Sequence, residues 1–172
     1  MIRRSSSFVL FICLLFASCS HQEKHGEMNF QNSVKPYSSH LLKMFSEKKD
    51  FNLIERYINS ICICQTGYAY LIDYDGNFIV FPRQDLVGQN YRGKADYIEI
   101  ILKMKTGTIN FDSDGEVVDY DENGNKIVIE KIKVKNIATF IDVPNERKIL
   151  VFKSLLDDCS HINEPSLVTK GQ

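Results

Sequence analysis

Six side chains in the middle and C-terminal half of the chain have the chemistry to hold a small ligand. A tyrosine combines an apolar ring with a hydroxyl, so it can pack against a ligand and orient it. The guanidinium groups of Arg83 and Arg92 could each hold a carboxylate through two parallel hydrogen bonds. The candidates are Tyr68, Tyr70, Arg83, Tyr91, Arg92 and Lys131. The alternative for each is a core tyrosine or a solvated cation.

Two of these tyrosines belong to a predicted β-hairpin around which the rest of the chain is organised. Residues 68–72 and 78–81 are rich in aromatic and branched side chains, which suit strands. Between them, residues 73–77 are turn formers, and Gly76 can adopt a positive φ. Because side chains alternate along a strand, Tyr68 and Tyr70 share a face. Both therefore belong to the core or both belong to a pocket.

Catalysis and metal binding have little support in the sequence. Serine, histidine and aspartate occur, but no nucleophile stands beside a base. His21 and His25 have helical spacing, yet two solvated residues are the favoured interpretation. Residues 119–124 with Glu130 match a calcium-loop spacing, but strand-like flanks and Lys126 favour a hairpin turn. We therefore predict a protein that is not an enzyme and needs neither metal nor cofactor.

Length and composition indicate how many domains the chain forms and which classes of partner it is unsuited to bind. The chain has 172 residues, so one domain is expected, and 44% hydrophobic residues can form its core. The net charge of -1 gives no electrostatic footprint for nucleic acid and argues against a basic membrane-surface patch.

The first residues resemble a targeting signal. Arg3 and Arg4 precede an apolar run, residues 8–16, which is shorter than the roughly 20 residues that span a bilayer. The sequence Phe16-Ala17-Ser18-Cys19 resembles the lipobox of bacterial lipoproteins, with phenylalanine in place of the usual leucine. The resemblance implies a lipid such as palmitate on Cys19. An ordinary cleaved signal peptide and an uncleaved anchor are the alternatives.

These segments predict the organisation of the chain. We expect a signal peptide over residues 1–19, a flexible polar tether over 20–35, one domain over 36–158 and a polar tail over 159–172. Ser20 is not a retention signal of the aspartate type, so the periplasmic face of the outer membrane is favoured over the inner membrane.

The domain is predicted to be α+β. Apolar spacing after Pro36 predicts one long helix as far as Ile61, or two helices with a break near Asp50, and a short helix over residues 95–105. Strands are expected at residues 106–111, 116–120, 126–134, 137–143 and 148–156. The result is an antiparallel sheet of five to six strands, with a long N-terminal helix and a short helix after the second strand.

The hairpin and the loop after it resemble the signature of the Cache family, extracellular relatives of the PAS fold. The matching residues are Gly67-Tyr68, Asp73, Gly76, Pro82 and Gly88-Gln89-Asn90, within a resemblance that spans residues 37–156. It implies a small-molecule pocket between the sheet and the loop and helix after the second strand. The chain departs from the family in lacking tryptophan and in having Phe81 where a histidine often precedes the proline.

The resemblance implies a lipid-anchored periplasmic module that senses a carboxylate or an amino acid. No output domain is expected, and a membrane protein is an expected partner. The alternative is a structural or interaction lipoprotein of the cell envelope whose pocket is filled.

The residues alone favour a role for the cysteines as small buried hydrophobic side chains. The resemblance also has a consequence for their pairing. If the first and last strands run parallel, Cys64 and Cys159 lie at opposite ends of strands about 20 Å long. That separation is beyond disulfide reach. We therefore predict no disulfide between Cys159 and either Cys64 or Cys62.

Overall fold

The computed structural model describes residues 6–120 and 126–160, with side chains described from residue 24 and not for residues 119 and 120. Two short 3-10 turns, Gln84–Leu86 and Pro144–Glu146, lie between its main elements. The elements are α1 Ser6–Ser46, α2 Phe51–Ser60, β1 Tyr68–Asp73, β2 Phe78–Val80, α3 Asp96–Met104, β3 Gly107–Tyr120, β4 Lys126–Val143, β5 Lys148–Leu155 and α4 Leu156–Ser160.

The five strands form one sheet in the order β2-β1-β5-β4-β3, and every neighbouring pair is antiparallel. The predicted α+β class is therefore confirmed, with its long N-terminal helix and short helix after the second strand. The turn expected at residues 112–115 is wrong, because these residues continue β3 and pair with Lys135 to Ile132 of β4. An ion pair of 2.6 Å between Asp114 and Lys133 supports that register. The two strands expected at 126–134 and 137–143 are likewise one strand, β4.

Apolar residues cover both faces of the sheet because side chains alternate along each strand. On the α1 face, helices α1 and α2 pack against Leu71, Leu150 and Phe152. On the α3 face, helix α3 packs against a cluster that includes Tyr70 and Phe140. The sheet thus separates two cores.

The expected tether over residues 20–35 is instead part of helix α1. Phe30 and Val34 are buried in the core of the α1 face, and Asn29 Nδ2 donates to the Cys159 carbonyl at 2.9 Å. The domain therefore begins before Pro36, which lies inside the helix and is exposed. Proline at the first position of a helix loses no backbone hydrogen bond, and for that reason the sequence indicated a domain boundary at Pro36. Burial of residues on the preceding turns offsets its cost within the helix.

The prediction that Cys64 and Cys159 stay apart is wrong, because they form a disulfide. Strands β1 and β5 are antiparallel neighbours, with Tyr68 opposite Lys153. Cys64 lies just before β1 and Cys159 just after β5, so both cysteines stand at the same end of this antiparallel strand pair. The error was the assumed parallel direction of the first and last strands.

Helix α4 extends the domain beyond the expected end at residue 158. Cys159 is buried, and Ser160 closes the helix through its hydroxyl, which donates to the Leu156 carbonyl at 3.3 Å. Residues 161–172 of the expected tail lie outside the described residues. Within the described part of the chain, we find no helix with the length and apolar character needed to cross a membrane.

Candidate functional site

The turn of the β1–β2 hairpin holds the loop that follows β2. Asp73 Oδ1 accepts hydrogen bonds of 2.9 Å from the backbone of both Asp75 and Asn77, and Gly76 adopts a φ of 90°. Asn90 Nδ2 donates to the Asp75 carbonyl and to Asn77 Oδ1, both at 2.9 Å. These signature residues therefore position the loop against the sheet.

The backbone of the same loop pairs with the start of β2. Gly88 donates to the Phe78 carbonyl at 2.7 Å, and Phe78 donates to the Gln89 carbonyl at 3.0 Å. Gly88 has a φ of 81°, a region that glycine enters at little cost. The loop is thereby fixed over the edge of the α3 face.

Aromatic rings fill the centre of the α3 face. The ring of Tyr70 lies 5.5 Å from that of Phe78 and 5.3 Å from that of Phe81, both in edge-to-face geometry. Tyr91 reaches this group from the loop, with its ring 4.6 Å from Phe78. Such pairs add packing energy beyond the area they bury. Aromatic side chains therefore fill the centre of the α3 face.

Within this packed group, the hydroxyl of Tyr70 has no hydrogen-bond partner among the described residues. The Tyr70 side chain is fully buried. Burial, followed by the nearby phenols of Tyr97 and Tyr68 and by a hydrogen-bond interaction with the Tyr97 phenol, raises the pKa of Tyr70 well above its ordinary value. Tyr70 is therefore a neutral phenol whose hydroxyl lies near that of Tyr97, outside good hydrogen-bond geometry.

A lysine stands beside these tyrosines on strand β5. Lys153 is half-buried and lies opposite Tyr68 on β1 and Ala138 on β4. Its Nζ is 5.5 Å from the centre of the Tyr97 ring and 5.3 Å from that of Phe111. Those two rings stack on each other at 4.3 Å. In the described part of the chain, no carboxylate pairs with this ammonium.

The electrostatic surroundings of Lys153 suit an incoming anion. Burial lowers the pKa of Lys153 because the ammonium has lost part of its hydration. Burial likewise raises the pKa of Tyr68 to about 12 and the pKa of Tyr97 above its ordinary value. Both phenols are therefore neutral near pH 7 and can donate hydrogen bonds. One cation and neutral donors are groups with which a small carboxylate could pair.

The structure brings together three of the six candidates predicted from the sequence. Tyr68, Tyr70 and Tyr91 all join the α3-face cluster, although Tyr70 is fully buried and Tyr68 only partly. Arg83 lies outside, exposed and paired with Asp85 at 2.6 Å. Arg92 is also exposed, and its Nη2 donates to the Tyr74 carbonyl at 3.0 Å.

Lys131 lies far from the cluster on strand β4. It is exposed and lies opposite Glu116. Ala138 of the same strand is on the α3 face, and Lys131 is an odd number of positions before it, so Lys131 is on the α1 face. Seven residues separate it from Ala138, the β4 neighbour of Lys153, which corresponds to about 24 Å along a strand. Lys131 instead borders an open cleft of about 680 Å³ with Asp114, Glu116 and Lys126.

Sequence reasoning did not select Lys153 or Tyr97 as site residues. The signal for Lys153 was a cation placed directly after the apolar run of residues 149–152. Its position in the strand predicts a charge on a buried face. Tyr97 falls in the short helix predicted over residues 95–105, and it packs against the α3-face cluster. Pairing partners across strands, which the sequence does not show, bring the two together.

No group of three or more histidine, cysteine, aspartate or glutamate side chains within the described ranges could hold a metal ion. Strands flank the calcium-loop spacing, as expected, since β3 ends at Tyr120 and β4 begins at Lys126. Residues 121–125 of that loop lie outside the described residues.

Comparisons with known proteins give structural likenesses alone. No family model matches the chain, and no curated protein matches it. Among solved structures, a Cache chemosensory domain that recognises carboxylic acids has a TM-score of 0.49 and 13% identity, covering 82% of this chain and 97% of that one. A methyl-accepting chemotaxis protein from Vibrio parahaemolyticus has a TM-score of 0.45 and 15% identity, covering 90% of this chain and 99% of that one.

A third structure is the ligand-binding domain of Mlp24 with asparagine, with a TM-score of 0.43 and 16% identity. The match covers 64% of this chain and 37% of that one, so this chain spans well under half of that domain. The likeness to these structures lies in the arrangement of helices and strands. The carboxylic acids and the asparagine belong to those proteins.

Proposed function

We propose that this protein is a sensing module of the cell envelope that binds a small carboxylate on the α3 face. The observation that carries the proposal is the half-buried ammonium of Lys153, which no described carboxylate neutralises. Such a charge is costly unless an anion joins it. The buried hydroxyl of Tyr70, which lies near that of Tyr97 without good hydrogen-bond geometry, is a second polar group in the same cluster.

Tyr97 links the two polar groups of this site. Its ring lies under Lys153, and its phenol is close enough to raise the pKa of Tyr70. A carboxylate between α3 and the sheet could accept from Lys153 and from a neutral tyrosine hydroxyl. A movement of α3 or of the loop over residues 84–93 would make room for it, since the face is filled in this structure.

The disulfide supports an envelope location. Disulfides persist in oxidising compartments and are rare in the reducing cytoplasm. The Cys64–Cys159 bond therefore agrees with the export signal proposed for residues 1–19. A lipid on Cys19 and the periplasmic face of the outer membrane are part of the proposal, as is a membrane protein that receives the signal.

One observation favours a second function, an envelope lipoprotein that acts only through protein contacts. Tyr70, Phe78 and Phe140 are at most 1% exposed, so the face where a ligand would bind is closed. In that case Lys153 is a half-buried lysine held by aromatic rings.

A thermal-shift titration of the full chain with acetate, propionate, asparagine and ethylamine separates these two functions. Ligand at a hundredfold its dissociation constant adds about 2.7 kcal/mol, or a rise in Tm of about 5–10 °C for a chain of this size. We expect a rise with a carboxylate and none with ethylamine, which carries the wrong charge for Lys153.

Matched lysine variants assign the binding to the site. Lys153→Met should abolish the carboxylate effect, whereas Lys103→Met, at an exposed position of α3, should leave it intact. The absence of any shift across the panel would favour the protein-contact function. A shift that survives Lys153→Met would show that the ligand binds elsewhere.

A further inference from the structure

Strands β3 and β4 continue past the rest of the sheet as a two-stranded extension. The last pair between β4 and β5 is Asn136 with Leu155, whereas β4 pairs with β3 as far as Lys126. We name residues 112–118 and 126–135 the hairpin arm. One side of the arm continues the α3 face of the sheet, so it begins where the candidate carboxylate site ends.

The α3 face of the arm carries an apolar stripe. Ile132 and Val134 lie on this face because they stand an even number of positions before Ala138 of the α3-face cluster. Gly115 pairs with Ile132 and makes room for both side chains, since a Cβ there would collide with Val134 Cγ2. Val117 follows on the same face of β3. Val117 and Ile132 are 42% and 38% exposed, so helix α3 does not cover them.

The charged pairs of the arm lie on its other face and balance each other. They are Asp112, Asp114 and Glu116, opposite Lys135, Lys133 and Lys131. On the α3 face, Glu130 stands opposite Val117, at the far end of the stripe. At the near end, the polar side chains of Asn136 and Ser113 bond to each other, with 2.9 Å between Nδ2 and Oγ. The stripe between these ends is uncharged.

A cation stands at the near end of this stripe. Lys153 is half-buried, and its Nζ lies 5.3 Å from the centre of the Phe111 ring. Phe111 pairs with Asn136, the residue at which the arm begins. From Asn136 the apolar surface extends about 13 Å along β4 to Ile132 and about 20 Å to the level of Val117. The face thus presents one positive charge followed by an apolar track.

We propose that the ligand of the α3 face is a long-chain fatty acid, with its carboxylate at Lys153 and its alkyl chain along the stripe. This inference rests on the proposed function, because it takes Lys153 as the carboxylate site. The extended chain of dodecanoate is similar in length to the distance from Asn136 to Ile132. An alkyl chain gains free energy by leaving water and needs no polar partner from the stripe.

Other occupants of the stripe would leave Lys153 without an anion. A second copy packed through the same face, or an apolar segment of another protein, would cover Ile132 and Val117 alone. A bilayer surface would meet the exposed end of the arm, whereas Lys153 is half-buried beside the stacked rings of Tyr97 and Phe111. An amphiphile with an acidic head accounts for both the cation and the stripe.

Titrations of the full chain followed by NMR test the proposal. The ligands are butyrate, octanoate, decanoate, dodecanoate and decanol, each below its critical micelle concentration. Affinity should rise about twofold with each added methylene, half the free-energy gain of full burial, because one side of the chain stays in water. Decanol has no charge for Lys153 and should bind about tenfold more weakly than decanoate.

Matched variants locate the alkyl chain. Val117→Thr/Ile132→Thr keeps branched, strand-forming side chains and adds hydroxyls. It should weaken dodecanoate about tenfold and leave butyrate unchanged. Val128→Thr is the control, because Val128 is 43% exposed and pairs with Val118, which follows Val117 and so lies on the other face. This control should leave both affinities unchanged.

The outcomes separate this inference from the proposed function. Butyrate binding that Lys153→Met abolishes, with no gain from chain length, would overturn the fatty acid and leave the carboxylate sensor standing. No binding of any carboxylate would overturn both. Dodecanoate binding that survives Lys153→Met, or that Val128→Thr weakens equally, would show adsorption to apolar surface elsewhere. Self-association or binding of phosphatidylethanolamine–phosphatidylglycerol vesicles through the stripe, in place of dodecanoate, would assign it to another copy or to a membrane.

Discussion

At the scale of single residues, the proposed site depends on Lys153, which we expect to lower the stability of the unliganded chain. Its ammonium has lost hydration without gaining a carboxylate in the described part of the chain. Removing a half-buried charge therefore favours the unliganded fold. A residue that lowers stability without a ligand and is needed for binding one is the expected signature of a functional position.

The pH dependence of stability tests this assignment. Because burial lowers the pKa of folded Lys153, unfolding takes up a proton between that lowered pKa and the ordinary 10.5. The penalty is complete below this window, and stability rises with pH through it. We expect Lys153→Met to remove that rise and to stabilise the unliganded chain near pH 7 by about 0.5–1 kcal/mol, after allowance for solvent screening. Urea unfolding from pH 7 upwards measures both effects.

Carboxylate affinity should change with pH in the opposite direction. A bound carboxylate needs the ammonium form, so its affinity falls as pH rises past the pKa of unliganded Lys153. Tyr68, with a pKa of about 12, stays neutral through that range and does not obscure the effect. Affinity that stays constant up to pH 10.5, the ordinary pKa of lysine, would contradict a role for Lys153 as counter-ion.

At the scale of elements, helix α1 is the largest departure from expectation. Its apolar stripe continues through Phe30 and Val34 before the proline at which the sequence placed the domain boundary. A flexible tether and a packed helix can share the same polar composition. Only the surface opposite them, contributed by α4 and β4, decides between the two.

Paired substitutions in α1 test that packing. Phe30→Ala should lower the free energy of unfolding by about 3–5 kcal/mol because it leaves a cavity in a fully buried position. Met28→Ala is the control, since Met28 is 53% exposed and its loss should cost little. Urea unfolding of both variants measures the difference. Equally small changes in the unfolding free energy of both variants would indicate that this segment is a flexible tether.

Strands were predicted better than their pairing. Runs of aromatic and branched side chains placed β1 and β2, and strands were also expected over β5 and most of β3 and β4, because strand-forming residue types are visible in each segment's own sequence. The direction of β1 relative to β5 depends on the chain path between them, and no local pattern records it. The same limit hid the neighbourhood of Lys153 and Tyr97, and it produced the error on the disulfide.

At the scale of the whole molecule, the disulfide joins folding to compartment. It closes the chain between Cys64 and Cys159, which are 95 residues apart and enclose the entire sheet. Cross-linking so long a segment restricts the unfolded chain strongly, and loss of a native disulfide of this kind costs about 2–5 kcal/mol. Stability of the fold should therefore depend on where the chain is oxidised.

Expression with and without export tests that dependence. A chain starting at residue 20, kept in the cytoplasm, should have reduced Cys64 and Cys159, and its Tm should rise by about 4–20 °C on oxidation. The exported full chain should carry the bond already, and Cys64→Ser/Cys159→Ser should remove the difference. Mass spectrometry of alkylated thiols reports the redox state, with Cys62→Ser as control because Cys62 is a free, exposed cysteine.

The same exported chain tests the anchor. Incorporation of an alkyne-labelled fatty acid should depend on Cys19, so Cys19→Ser should lose the label, whereas Cys62→Ser should keep it. Because α1 runs as helix from Ser6 to Ser46, a lipid at Cys19 would hold the domain through a rigid element. Gly26, which packs against Leu156 and Ser160 of α4, lies seven positions after Cys19, so the domain would stand about 10 Å from the anchor. An unlabelled but membrane-bound Cys19→Ser chain would instead identify the uncleaved N-terminal segment as the anchor.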